Sequence, residues 1–506
     1  MNGKKRWFNY RPIAVSFAFL VFGSIFSFYV NKYIAISISI ILLFFAISIL
    51  VAVIRKQPKY AIVPVVAFIL GCVGYQLSIK QATNYIDYQP KMIKARVYSV
   101  SKANDDYIKV KADSCVFDGN EISDNINILI YDYYGIYDNI ETGSVLEFEP
   151  LNFFNADIFY YGTPDSRAVS QRLKYTATVK YENIRFGKQE KKLNERLREK
   201  IKENLRFGLS NENVEIVYSS LFGNKEMLSD LQYESFKLAG VAHLLAVSGL
   251  HVGIIAGILA FVCKKLRIKR VISLIITTVF LLFYCYLCDY AVSVVRASIM
   301  TFVMLFGKVL GRKYDNYNAI SLAGIVIFFA NPLCVFDVAF LLSFACILGI
   351  AMLQLPVYES LEKFPMPDGL RTSLSMSIST TVAIMFIMIV YFKQLNIISL
   401  VANIIIIPVF SLGFSVAFVL AMLSLVCKYF GYLLYATNFI FDFVSLMATS
   451  LGNLWFANFS TASQGYPVML LYFVMLVLMG GLCIAKPRYK MILTLPIAML
   501  LFACII

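Results

Sequence analysis

The sequence predicts an α-helical polytopic membrane protein of about 11–13 spans, some broken or re-entrant, with one β-domain inserted between membrane segments. Three observations carry this. Of 506 residues, 59% are hydrophobic and 15% charged, and mean hydropathy is +0.70; a soluble domain runs at about 45–50% apolar and about 25% charged. Apolar runs close to the ~20 residues that cross a bilayer recur along most of the chain. Residues 88–186 break this pattern: they are polar and alternate with the two-residue period of strands.

Residues 1–87 read as a three-span region, with runs near 13–30, 33–54 and 60–79. Lys4, Lys5, Arg6 and Arg11 precede the first run, and Arg55, Lys56 and Lys59 separate the second from the third. Short cytoplasmic loops are enriched in Lys and Arg, so both positions are assigned to the cytoplasm and the chain emerges outside near residue 85. The first run leads into further spans, as a retained segment does and a cleaved signal does not.

Within 88–186, strand-like runs at Ile93–Val100, Tyr107–Ala112, Ile126–Tyr131 and Val145–Phe148 are separated by turn signals such as Asp118-Gly119-Asn120 and Glu141-Thr142-Gly143. An extracellular OB-like barrel fits this length and pattern. OB-folds often bind oligonucleotides, and Tyr131, Tyr133 and Tyr134 offer stacking faces. Asp105, Asp106, Asp113, Asp118, Glu121, Asp124 and Asp132 oppose a polyanion. DNA binding and a scaffold or docking role both stand.

Residues 187–235 read as an amphipathic helical linker, with Leu193, Leu197, Ile201 and Leu205 forming one stripe between basic flanks. Such a helix suits the outer membrane surface or the side of the β-domain. Residues 236–506 are nearly all membrane, with spans near 241–262, 271–288, 291–310, 318–334, 336–354, 371–392, 396–427, 431–452, 466–485 and 490–506. The basic loops Lys264–Arg270, Arg312–Lys313, Lys363–Arg371 and Lys486–Lys490 then fall on the cytoplasmic side, with Ile506 outside. Pro332, Pro356 and Pro408 mark interruptions, which membrane helices tolerate where backbone lines a cavity or is buried in protein.

Composition removes several function classes. His243 and His251 are the two histidines, too few for a three-His metal centre in one chain. Of ten cysteines, all but Cys115 lie in apolar segments, and the Cys285/Cys288 pair reads as helix packing rather than a redox motif. No GxxxxGK[ST] occurs, so energy for any transport comes from elsewhere, and no cofactor is implied. A net charge of +15 suits cytoplasmic loops and also an anionic substrate.

The chemistry-bearing candidates are polar residues inside apolar runs, which normally face an interior or a cavity. In FKLAGVAHLLAVSGLHVGIIAG (236–257), a straight helix at about 100° per residue puts His251 about 80° and Ser248 about 140° from His243, on one face. Gly249 and Gly253 permit close helix approach. Three readings stand: hydrogen-bonding glue, a pore lining, and a dyad of Ser248 with His243 or His251. The last also needs an oxyanion hole, and none is identifiable. Arg296 is an intramembrane guanidinium; its partner is Asp289 on the same helix face, Asp337, or a passing phosphate. Ser343 and Asn403 are placed to hydrogen-bond across helices.

Residues 236–257, with Leu221-Phe222-Gly223-Asn224-Lys225 upstream, resemble the signature of the ComEC family of competence DNA-uptake proteins. Here the element is His243-Leu244-Leu245-Ala246-Val247-Ser248-Gly249-Leu250-His251. Ser293-Val294-Val295-Arg296-Ala297 resembles the family's S-x-x-R-A element. Asn331-Pro332 with Asp337 to Ala345 is similar to its P…FxLSFxA element, and Ser399-Leu400-Val401-Ala402-Asn403 leading to Pro408 to its S-x-x-A-N…P element. The order agrees over roughly residues 210–420. The resemblance implies a plasma-membrane channel, not an enzyme, that passes single-stranded DNA inward during natural transformation. The candidate channel residues are His243, Ser248, Gly249, His251, Arg296, Ser343 and Asn403. Implied partners are a surface DNA receptor and a cytoplasmic ATP-driven translocase. Long members carry a metallo-β-lactamase-like domain, a candidate nuclease. No His-x-His-x-Asp-His occurs here, so the chain reads as a short form that leaves strand degradation to a separate nuclease. Two other readings remain beside this one: an intramembrane hydrolase using Ser248, and a small-solute transporter, for which the expected internal repeat is not visible.

Overall fold

The computed structural model describes residues 11–30, 59–86, 88–104, 107–131, 140–156, 159–160, 163–164, 168–169, 171–223, 228–396, 398–455 and 457–460. The proposed spans 33–54, 466–485 and 490–506 lie outside the described residues. So do the basic positions Lys4, Lys5, Arg6, Arg55, Lys56 and Lys486–Lys490, and Asp105, Asp106, Asp132, Tyr133, Tyr134, Asn224 and Lys225. The chain divides into two compact units, one formed by Ala18–Ile201 with Val326–Asp337, the other by Met1–Phe17, Lys202–Ile325 and Val338–Ile506.

In the first unit, helices α1 (Pro12–Val30) and α2 (Lys59–Ala82) meet at Gly23 and Gly71. A side chain on either glycine would run into the backbone of the other helix, and Ser24 Oγ donates to Gly71 O at 3.1 Å across the same contact. Small residues that let backbones touch are the usual means of packing apolar helices where water supplies no driving force.

The β-domain follows, with strands β1 (Ile93–Asn104), β2 (Tyr107–Phe117), β3 (Asn120–Ile122), β4 (Asn125–Tyr131), β5 (Val145–Phe148), β6 (Asn152–Asn155), β7 (Phe159–Tyr160), β8 (Thr163–Pro164), β9 (Leu173–Lys180) and β10 (Arg185–Phe186). Alternate residues point inward: Ile93, Ala95 and Val97 on β1, and Ile126, Ile128 and Ile130 on β4, are fully buried. β1 pairs antiparallel with β2, β2 with β4, and β4 runs parallel to β9. β5 pairs with β1 at one end of this path and β6 with β9 at the other. Only Glu149, Pro150 and Leu151 separate β5 from β6, so one bent strand joins both ends and closes a Greek-key barrel of the OB-like kind. Proline, which has no N–H for the ladder, stands at the bend.

Helix α3 (Leu193–Leu205) is tied to this barrel at its start. Arg96, 4% exposed, holds Asp113 with Nε and Nη2 at 2.8 and 2.7 Å, and Glu195 in the first turn of α3 with Nη1 at 2.8 Å. Lys192 Nζ joins Asp113 at 2.7 Å. Burial by itself raises the Asp113 carboxyl pKa; the hydrogen bonds and charges of Arg96 and Lys192 outweigh it and leave the carboxyl below its usual range. Of the expected stripe, Ile201 and Leu205 are fully buried while Leu193 is 61% exposed.

The second unit is helical. It holds α4 (Asn211–Phe222), α5 (Asp230–Leu238), α6 (Gly249–Lys265), α7 (Arg270–Leu287), α8 (Val292–Val309), most of α9 (Asn316–Ala330), α10 (Val338–Ser360), α11 (Asp368–Ile387), α12 (Ser399–Ser424) and α13 (Asn438–Gly452). A short pair, β11 (Gln394–Asn396) with β12 (Asn458–Ser460), completes it. Among the described residues of the whole chain, seven segments are long and apolar enough to cross a membrane, Val63–Ala82 and six in the second unit. The protein is thus a multi-pass membrane protein with a β-domain. α4 is buried along nearly its whole length, and Asn213 on it donates to Asn438 Oδ1 at 2.9 Å and to Asp442 Oδ1 at 2.7 Å on α13.

Candidate functional site

The HLLAVSGLH segment does not form the straight helix that hydropathy suggests. Gly240 turns the chain at φ +73°, a 3₁₀ turn covers Ala242–Leu244, and α6 starts only at Gly249. The reason is local. Serine is a good N-cap and a poor helix-interior residue, and glycine follows it. His243, Ser248 and His251 therefore do not share a helix face. His243 is exposed on the 3₁₀ turn, while Ser248 and His251 meet as N-cap and first-turn residues.

Ser248 N–H donates to His251 Nδ1 at 2.9 Å, and Ser248 Oγ lies 3.0 Å from the same nitrogen. A backbone N–H can only donate, so Nδ1 is the acceptor and a neutral ring carries its proton on Nε2. Nε2 is buried without a hydrogen-bond partner, and the ring packs edge-on against Phe414 and Phe410, centroids 4.4 and 5.8 Å away. One lone pair shared by two donors is the arrangement of a helix cap rather than of a free general base. Phe410 and Phe414 stand in the middle of α12, a helix of 26 residues. α6 thus begins beside the centre of a helix about 39 Å long. The end of α4 lies next to it: Gly223, φ +78°, is its C-cap, and a β-carbon there would sit 3.3 Å from Val247 Cγ2.

α8 supplies two side chains one turn apart. Ser293 Oγ donates to Val247 O at 2.6 Å and fastens α8 to the unwound segment. Arg296 is 3% exposed; its Nη1 donates to the backbone carbonyl of Ser343 on α10, and its guanidinium carbon lies 5.9 Å from the Phe344 ring centre. Its Nε is buried with no partner. Gly249 makes room for it, since a β-carbon there would stand 3.1 Å from Nη2. The guanidinium therefore lies against the first turn of α6, where the helix dipole is itself positive. Among the described residues no carboxylate is within ion-pair distance of Arg296. Neither Asp289, in the left-handed turn before α8 (φ +49°), nor Asp337, just before α10, is its partner.

The structure therefore gathers Ser248, Gly249, His251, Arg296 and Ser343, the last through its backbone carbonyl. His243 is near the His251 ring but takes no part in these hydrogen bonds, and Asn403 lies on α12 with its Oδ1 buried and unpartnered. Ser293 and Gly223, which the sequence offers as parts of family elements and not as candidate channel residues, join this cluster; Ser293 stands three before Arg296, the spacing of one helix face. Phe410 and Phe414 carry no signal in a uniformly apolar run. Among the described residues no group of three or more His, Cys, Asp or Glu side chains is placed to hold a metal.

The chain is 30% identical over 196 residues to ComE operon protein 3 of Bacillus subtilis, covering 39% of this chain and 24% of that protein. It is 31% identical over 129 residues to Recombination protein 2 of Haemophilus influenzae, 24% of this chain and 16% of that protein. The matched part is thus a quarter or less of the length of these relatives. No solved structure matches. The family model described as competence protein covers residues 220–487, just over half of the chain and the whole of the cluster described above, and the chain belongs to that competence protein family.

Proposed function

We propose that this protein is the membrane channel through which single-stranded DNA enters the cell during natural transformation. The observation that carries the reading is the meeting of two helix ends, the C-cap Gly223 of α4 and the N-cap Ser248 of α6, with the buried and carboxylate-free Arg296 against the first turn of α6. Irregular backbone in the interior of a membrane bundle belongs where it is buried in protein or lines a cavity. An uncompensated cation there suits an anionic cargo. Conduction is passive: backbone and guanidinium donors replace part of the strand's hydration, and an external pull gives direction. A surface receptor delivers the DNA, a cytoplasmic ATP-driven translocase draws it in, and a separate nuclease removes the other strand.

The orientation follows the Lys/Arg bias of short loops. The N-terminus and Lys264–Arg270 are cytoplasmic; residues 88–186 and Ile506 are outside. A single cysteine placed within 120–125 should react with a membrane-impermeant reagent on intact cells, and labelling only after permeabilisation overturns this orientation. The function is tested by deleting the gene and scoring three quantities separately. Surface-bound DNA should persist while imported DNA and transformants are lost; a deletion strain that imports DNA at the normal rate rejects the channel.

A further inference from the structure

We infer that the first turn of α6 and the side chain of Arg296 form a subsite for one phosphodiester group of the passing strand, level with the middle of α12. The identity of the anion rests on the channel reading; the anion site itself rests on geometry. Three features converge. The N–H groups of Gly249 and Leu250 open α6 and reach no acceptor among the described residues. Such a turn is a ready anion site, through free donors and the positive end of the dipole. Arg296, 3% exposed, is directed at this turn: its Nη2 is the atom that a Gly249 β-carbon would crowd, its Nε has no partner, and only its Nη1 is engaged, by Ser343 O. Finally, the side chain packed on the other side of this turn, His251, accepts a backbone N–H at Nδ1 and brings no negative charge.

The arrangement sets a positive helix end beside a buried guanidinium, two like charges with no carboxylate between them. Burying an unpaired charge is strongly unfavourable unless a partner arrives. Anchoring Nη1 on Ser343 O leaves the Nε–Nη2 edge as a planar fork, the geometry that takes two phosphate oxygens at once. A linkage held there faces the Gly249 and Leu250 donors on its other oxygens. Single phosphodiester groups entering and leaving such a site in turn would give a strand a stepwise path without sequence preference.

The test uses the full-length protein in phosphatidylcholine nanodiscs. Two fluorescent single-stranded oligonucleotides of one sequence are compared, one with phosphodiester linkages and one with a central run of neutral methylphosphonates. Wild type should prefer the charged strand over the neutral one by at least about tenfold more than Arg296→Gln does, the scale of one bidentate charge-assisted contact. Arg296→Lys should fall between, keeping the charge without the fork. Equal discrimination by wild type and Arg296→Gln overturns the subsite. If Arg296→Gln does not fold, the decision passes to Arg296→Lys and Gly249→Ala, and discrimination equal to wild type in both overturns it. Inorganic phosphate should compete with the charged strand for wild type and not for Arg296→Gln. In cells the two claims separate: a deletion that imports DNA normally rejects the channel while the nanodisc result still judges the subsite. A deletion that blocks import, beside an Arg296→Gln strain that imports at the wild-type rate, rejects the subsite and leaves the channel standing.

Discussion

Arg96 and Arg296 are both buried, at 4% and 3% exposure, yet their surroundings are opposite. Arg96 in the β-domain is surrounded by acceptors: both oxygens of Asp113, the Glu195 carboxylate and the carbonyl of Glu190. Arg296 in the helical unit has one backbone carbonyl and an empty Nε. The first guanidinium completes its own charge balance and joins a barrel to a helix. The second has a single backbone acceptor in the fold. A buried arginine is informative about function only once its partners are counted.

Removing each arginine should therefore give opposite results. Arg96→Gln leaves the Asp113 and Glu195 carboxylates, with side chains 14% and 6% exposed, short of their counter-charge. Breaking such a pair costs ~3–5 kcal/mol, and thermal unfolding should show a clear loss of stability. Arg296→Gln removes a desolvated charge that no carboxylate balances, so its melting temperature should equal or exceed that of wild type while DNA import falls. An Arg296→Gln protein less stable than Arg96→Gln would erase the contrast.

The Arg96 node also predicts a pH dependence that the Arg296 site lacks. The folded Asp113 pKa is depressed, so its stabilisation is fully present above the unfolded carboxylate value of about 3.9 and is lost as pH falls below that value through the folded one. Unfolding followed from pH 7 down to pH 2 should show this loss in wild type, and it should be much reduced in Asp113→Asn.

Two glycines sharpen the same comparison with smaller effects. Gly143 stands at φ +91° with its missing β-carbon 2.6 Å from Lys191 Cγ, so Gly143→Ala should cost about 1–3 kcal/mol of stability. Gly249, the first residue of α6, does not adopt positive φ, so Gly249→Ala puts no strain on the backbone. It crowds Arg296 Nη2 instead, so import should drop without loss of fold. The smallest expected change in import is that of Ser248→Ala. Its backbone N–H still reaches His251 Nδ1, so only the hydroxyl is lost, an effect of about 0.5–2 kcal/mol for an N-cap. Import should survive. Complete loss of function in a stable Ser248→Ala protein would favour the serine hydrolase over the channel.

Much of the architecture was legible residue by residue. The four strand runs appear within β1, β2, β4 and β5, because a half-buried strand must alternate and the chain writes that alternation openly. Gly119 and Gly143 mark turns, and both adopt positive φ. The seven span-length segments follow from composition and length. The late start of α6 was not legible from hydropathy, because an apolar run satisfies the bilayer whether helical or unwound. The signal was the Ser248-Gly249 pair, read there as a polar face instead of a cap followed by a first turn.

What the sequence determined alone is what depends on neighbours along the chain: apolar length, strand alternation, turn glycines, and the presence of histidine, serine and arginine inside membrane-length runs. What the tertiary structure decided is which of those polar groups meet. Arg296 lies 47 residues from Ser343, whose carbonyl it holds, and that carbonyl is present in every peptide unit, so no residue type marks it. Asp289 is near Arg296 in sequence and does not pair with it. His251 rests on Phe410 and Phe414, which nothing distinguishes from the other phenylalanines of the bundle. Pairing in a bundle is set by helix contacts between distant segments, and a guanidinium without a carboxylate becomes visible only when every element packed around it is in place.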